Sequence, residues 1–72
     1  MARRKHRRLT PREREVLSLQ ARGLLLKEIA HQTGRSLHTI EEQAANARRR
    51  LGARTTAEAV ARALGAALIT PP

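Results

Sequence analysis

The segment KEIAHQTGRSLHTIEEQAANARRRLG, residues 27–52, limits the possible folds more than any other part of the chain. Apolar residues recur at helical spacing on both sides of Gly34, Arg35 and Ser36, and the segment closes on a basic cluster followed by Gly52. Glycine tolerates the left-handed conformation that stops a helix, and serine caps the free N–H groups that open the next one. Two short helices joined by a tight turn are the consequence. A chain of 72 residues supports one domain with one small core, near the lower size at which such a core suffices unaided, so support from a second subunit or a ligand is in keeping with it.

The flanks add one helix on each side. Thr10-Pro11-Arg12-Glu13 supplies an N-cap, a proline at the first helical position and a glutamate placed to close a capping box. A first helix is expected over about 11–22, with Val16 and Leu17 leading its buried stripe, Ala21 and Leu24 continuing it, Gln20 interrupting it and Gly23 ending it. A second is expected over about 26–33, with Ile29 and Ala30 inward and Gly34 as its stop. Its start is weak, because Leu25 and Leu26 stand where a polar cap typically contributes about 1 kcal/mol. Three consecutive leucines cannot all enter one small core. At least one is exposed, either as an isolated surface residue or as part of a protein contact.

Ser36 opens a third helix running to about Leu51. At about 100° per residue, Ile40, Ala44, Ala47 and Leu51 fall in a narrow core-facing arc. His38, Glu42, Ala45, Asn46 and Arg49 lie opposite, with Thr39, Glu41, Arg48 and Arg50 on the flanks. Thr55 and Glu58 form a second capping box for a fourth helix over about 56–66, where Val60, Ala63, Leu64 and Ala67 share a face, Leu68 lies at its edge and Gly65 weakens the last turn. Such small residues allow another helix to approach closely, from this chain or from a second copy. The expected plan is a disordered basic arm over 1–8, a helical domain over 9–69 and a short tail over 70–72.

Composition then narrows the function classes. A net charge of +9 and a pI near 11.9 favour polyanionic partners, nucleic acid first and an anionic membrane surface second. No apolar run approaches the roughly 20 residues needed to span a bilayer, and the basic start is not followed by the apolar stretch of a secretory signal. Cysteine and aspartate are absent, His6, His31 and His38 lack the spacing of a metal pair, and Ser18 and Ser36 have no acid–base partners. Nothing in the sequence calls for catalysis, a metal or a cofactor. The lack of any aromatic residue argues against binding single strands by stacking. Double-stranded DNA remains, with the cytoplasm and its nucleoid as the expected location.

Candidate contacts follow from charge and position. Arg3, Arg4, Lys5, Arg7 and Arg8 neutralise phosphates or enter a minor groove, or else form a solvated tail. Arg48, Arg49 and Arg50 either meet phosphates or simply complement the C-terminal end of the helix dipole. Lys27 and Ser36 complete the set around the turn, and sequence preference is expected from His38, Thr39, Glu42, Gln43, Asn46 and Arg49. Asn46 suits adenine, and Arg49 can reach guanine or phosphate.

Taken together, LTPREREVL, Gly23, Lys27-Glu28-Ile29-Ala30, Gly34, Ser36, Thr39-Ile40, Asn46, Arg50-Leu51-Gly52 and Ala57-Glu58-Ala59-Val60 resemble the LuxR/GerE-type helix-turn-helix domain, in its single-domain form. The resemblance covers nearly all of 9–69 and implies a third helix in the major groove, a second crossing behind it and a fourth used for homodimerisation. It also implies a receiver or small-molecule-sensing domain as the usual companion of such a module. The chain departs from the family pattern at Leu25, Leu26, Thr33, Arg35 and Gln43, and at the base-contact positions Glu41, Glu42 and Ala45. Glu41 reads as a flank residue paired with a basic neighbour. Glu42, aimed outward, either accepts from the N4 amino group of cytosine or marks a face that no longer reads DNA in the usual way. Sigma-factor region 4 is similar through the third helix, but the match at Ala57 to Val60 continues into the fourth and favours the LuxR/GerE type. The sequence therefore points to an all-α, non-enzymatic DNA-binding transcription regulator. The alternative is a helix-turn-helix module that docks on RNA polymerase or another regulator through the leucines and the acidic third helix.

Overall fold

The computed structural model describes residues 8–72, so Arg3, Arg4, Lys5 and Arg7 of the expected arm lie outside the described residues. Four helices follow in order, α1 (Pro11–Ala21), α2 (Leu26–Thr33), α3 (Leu37–Arg50) and α4 (Thr56–Gly65), with no strand among the described residues. The all-α, four-helix expectation is met. Helices α1, α3 and α4 each end one residue before the expected position, because Arg22, Leu51 and Ala66 act as C-caps rather than as members of the last turn.

The helix starts show how local chemistry sets these boundaries. Thr10 Oγ1 accepts from the Glu13 amide and Glu13 Oε1 accepts from the Thr10 amide, both at 3.1 Å, which closes the expected box. At α4 only half of it forms: Thr55 Oγ1 accepts from the Glu58 amide at 3.1 Å, but the Glu58 carboxylate takes the N–H of Arg54 at 2.7 Å instead of that of Thr55. Leu25 has no acceptor to offer α2, yet Glu28 Oε1 accepts from the Leu25 amide at 2.7 Å. That start is better specified than the leucines alone suggest.

Three helix ends share one geometry. Gly23 N donates to Gln20 O and Leu24 N to Leu19 O; Gly52 N donates to Arg49 O and Ala53 N to Arg48 O; Ala67 N donates to Leu64 O and Leu68 N to Ala63 O. The turn residue is left-handed each time, with φ of 95° at Gly23, 66° at Gly52 and 57° at Ala67. Glycine does this without strain, whereas a Cβ costs roughly 1–2 kcal/mol. Ala67 is the strained member of the set.

The core has two lobes that meet along α1. Val16 joins Ile29 and Ile40 in one, lined by Leu19, Leu24, Leu26, Ala30 and Ala44. Leu17, one residue on and turned by about 100°, enters the other with Leu9, Ala47, Ala53, Ala59, Ala63 and Ile69. Helix α1 therefore contacts α2, α3 and α4, while α2 and α4 do not touch. Full burial of side chains such as Leu17, Ile29 and Ile40 contributes about 1.5–3 kcal/mol each. Leu9 and Ile69 sit in the same lobe and bring the two ends of the domain together.

The small residues of α4 admit helices of the same chain: Ala63 is fully buried, and Ala59 beside it is also core. Val60 and Leu64 are half-buried against that lobe, and Ala67 lies beyond the helix at the left-handed turn. The four residues do not form one outward face.

Candidate nucleic-acid interface

Helix α3 is held from beneath and open above. Ile40 and Ala47 are fully buried, one in each lobe, so two anchor points fix both the axis and the rotation of the helix. The helical period then turns His38, Glu41, Glu42 and Arg49 to solvent, with Ala45 and Asn46 half-exposed between them. The last turn carries Arg48, Arg49 and Arg50.

Several of the expected contact residues are already engaged. Ser36 Oγ accepts from the Thr39 amide at 3.1 Å and donates to Thr39 Oγ1 at 2.9 Å, so both residues serve the cap of α3 first. His38 Nε2 lies 3.5 Å from Glu42 Oε2, one turn away on the exposed face. Asn46 Oδ1 accepts from an Arg49 guanidinium nitrogen. Arg50 is drawn back toward α1, where its Nε meets Glu13 Oε1 at 3.0 Å, and its NH1 reaches the Arg8 carbonyl at 3.5 Å. Among the three terminal arginines it is the one held by a carboxylate, while Arg48 is half-buried and Arg49 is exposed. Lys27 is exposed on α2 and Arg8 is exposed ahead of α1.

Glu41 differs from expectation, for it is exposed and forms no ion pair among the described residues. Gln43 is tied to the turn: its Oε1 accepts from Arg35 NH1 at 3.1 Å, and the other end of that guanidinium holds Glu15 Oε1 of α1 at 2.5 Å. In the sequence Arg35 stands out only as a departure from the family pattern. Its partners lie 20 and 8 residues away, beyond any local periodicity, and only folding brings them together. Local spacing places Glu13 in a cap alone; its burial and its second partner, Arg50, depend on a helix 37 residues further along the chain.

Among the described residues no group of three or more His, Asp or Glu could hold a metal ion, and no helix is long and apolar enough to cross a membrane. The exposed α3 face is preceded by a glycine turn and carries Glu41 and Glu42 ahead of the arginines of its last turn.

Comparison with known proteins identifies the family. Residues 7–63 match the family model GerE, described as bacterial regulatory proteins, luxR family. The transcriptional regulatory protein RcsB of Escherichia coli (strain K12) is 48% identical over 46 residues, covering 64% of this chain and 21% of RcsB. The transcriptional activator protein BjaR1 of Bradyrhizobium diazoefficiens is 44% identical over 64 residues, covering 89% of this chain and 26% of BjaR1. The chain thus spans about a fifth to a quarter of the length of these relatives. With four helices in the expected order, a capped third helix exposed along one face and a family match over most of its length, the chain belongs to the LuxR family of bacterial regulatory proteins and carries its DNA-binding helix-turn-helix domain.

Proposed function

We propose that this chain regulates transcription by binding double-stranded DNA with a sequence preference, α3 entering the major groove. The observation that carries the reading is the anchoring of α3 through Ile40 and Ala47, which leaves His38, Glu42, Asn46 and Arg49 on its outward side. Arg48, Arg49, Lys27, Arg8 and the basic residues Arg3, Arg4, Lys5 and Arg7 supply phosphate contacts, with Arg50 secondary because of Glu13. Asn46 and Arg49 act as a pair, since an adenine contact from Asn46 requires Arg49 to move off its carbonyl and onto guanine or phosphate. A homodimer would use the exposed side of α4 near Val60 and Leu64, with Ala63 excluded by its burial.

Selection of bound sequences from a random duplex library tests base readout, and a two-fold symmetric motif would establish the dimer at the same time. With roughly five to eight phosphates neutralised, log K should fall against log salt with a slope of about −4 to −7. A slope near zero would overturn the proposal. A second reading, docking on RNA polymerase or another regulator, draws on Leu25 and Leu37, which are 58% and 43% exposed. Enrichment of no sequence, together with loss of a protein complex on changing these leucines, would favour it.

A further inference from the structure

We propose that the groove between α1 and the C-terminal residues Thr70 and Pro71 docks an acidic segment of another protein, with Arg14 and Arg22 taking its carboxylates. This surface is separate from the one proposed for DNA and from Leu25 and Leu37.

The groove follows from the rotation of α1. Taking about 100° per residue, Pro11, Arg14, Ser18 and Arg22 fall within about 80° of one another, roughly opposite Glu13, Val16 and Leu17, the buried residues of the helix. Val16 shares one lobe of the core with Ile40 and Leu17 shares the other with Ala47, so α3 packs on the side of α1 that faces away from these arginines. Gln32 of α2, Thr70 and Pro71 form the further walls of a groove of about 800 Å³ that includes no residue of α3. DNA held against the outward side of α3 has both α3 and α1 between itself and the groove.

The lining sets the chemistry of the occupant. Arg8, Arg14 and Arg22 are exposed and meet no carboxylate among the described residues. The one acidic residue of the lining, Glu15, is already held by Arg35 at 2.5 Å and by Arg12 at 3.7 Å. Pro11, Leu19 and Pro71 add apolar surface beside the arginines. A cationic groove with apolar walls suits a segment that carries both carboxylates and an apolar side chain, and arginine clusters recognise acidic motifs in this way. A phosphate backbone offers the charge without the apolar part, and the chain's own basic residues Arg3, Arg4, Lys5 and Arg7 have the wrong sign. Arg14 and Arg22 stand about two turns apart, roughly 12 Å along the helix. Two carboxylates that span this distance are about three to four residues apart in an extended segment.

The test selects binders to the full chain from a displayed library of random peptides. Enriched peptides should carry two Asp or Glu about three to four residues apart with an apolar residue between them. When the most enriched peptide is synthesised and titrated, Arg14→Glu and Arg22→Glu should each weaken its binding roughly 3- to 10-fold. Arg54→Glu, an equal change of charge at an exposed residue outside the groove, should weaken it less than about 2-fold. Arg14→Gln and Arg22→Gln, which remove charge without reversing it, should give the same order with smaller losses. If no peptide is enriched, or if Arg54→Glu weakens binding as much as the other two reversals, the groove is not an acidic docking site. If Arg14→Glu and Arg22→Glu lower duplex affinity more than Arg54→Glu and each flatten the salt slope by about one, the groove meets phosphate; the inference is then overturned while DNA binding stands. Self-association of the free chain that Arg14→Glu abolishes would give the groove to Glu41 and Glu42 of a second copy, and would overturn it as well.

Discussion

Glu13 Oε1 lies 3.0 Å from the Nε of Arg50 and 3.1 Å from the backbone nitrogen of Thr10, so a single buried carboxylate oxygen both closes the cap of α1 and ties it to the last turn of α3. The expected phosphate contact of Arg50 competes with this tie. It also means that α3 is fixed to the scaffold by charge at one end as well as by Ile40 and Ala47 along its length.

Removing the carboxylate should destabilise the fold more than removing its charge. Glu13→Ala loses the carboxylate half of the capping box and leaves Arg50 without its acidic partner, for about 2–3 kcal/mol; this is below the range for fully buried pairs, because Arg50 is 43% exposed. Glu13→Gln retains an acceptor for the Thr10 amide and should lose less. Urea unfolding midpoints of the two variants check this, and equal losses would assign the stabilisation to the ion pair alone.

The strained turn after α4 offers a gain. Ala67 adopts φ of 57° in the position that Gly23 and Gly52 occupy after α1 and α3. Ala67→Gly should raise stability by about 0.5–1 kcal/mol, the left-handed penalty relieved less the added freedom of the unfolded chain. A lower thermal midpoint for the variant would contradict the assignment of strain.

Acid should weaken the start of α4 in a defined direction. The Glu58 carboxyl is held below its ordinary value first by the backbone N–H of Arg54 and then by the Arg62 guanidinium. A depressed folded pKa contributes stability that is full above the ordinary carboxylate range and lost as pH falls through the lowered value. Unmodified protein and Glu58→Gln should therefore differ most near neutral pH and converge in acid. A difference that grows on acidification would contradict the sign.

Glu42 separates base reading from protein docking. It is exposed, with the His38 Nε2 at 3.5 Å as its neighbour. If its carboxylate accepts from cytosine N4, Glu42→Ala should relax preference at one base pair at a cost of about 1–3 kcal/mol for the cognate base. If α3 instead meets a protein, the same exchange should leave DNA affinity equal or higher and weaken the partner complex. Titration of cognate and single-substituted duplexes distinguishes these results.

The sequence by itself determined what local chemistry can express. Thr10 and Ser36 mark helix starts, Gly23, Gly34 and Gly52 mark ends, and the spacing of Ile40, Ala47 and their partners orients α3, because caps and helical period act over three to four residues. The family was legible for the same reason, since its pattern is a string of such local requirements. Tertiary structure decided the rest. It sent the adjacent Val16 and Leu17 into different lobes, buried Ala63 in its own chain, drew Arg50 back to Glu13, and joined Glu15, Arg35 and Gln43 across the turn. Each of these depends on groups that are distant along the chain and adjacent only after α1 has packed against α3. No periodicity records such a meeting, because spacing along one helix carries no information about the groups that another helix brings against it.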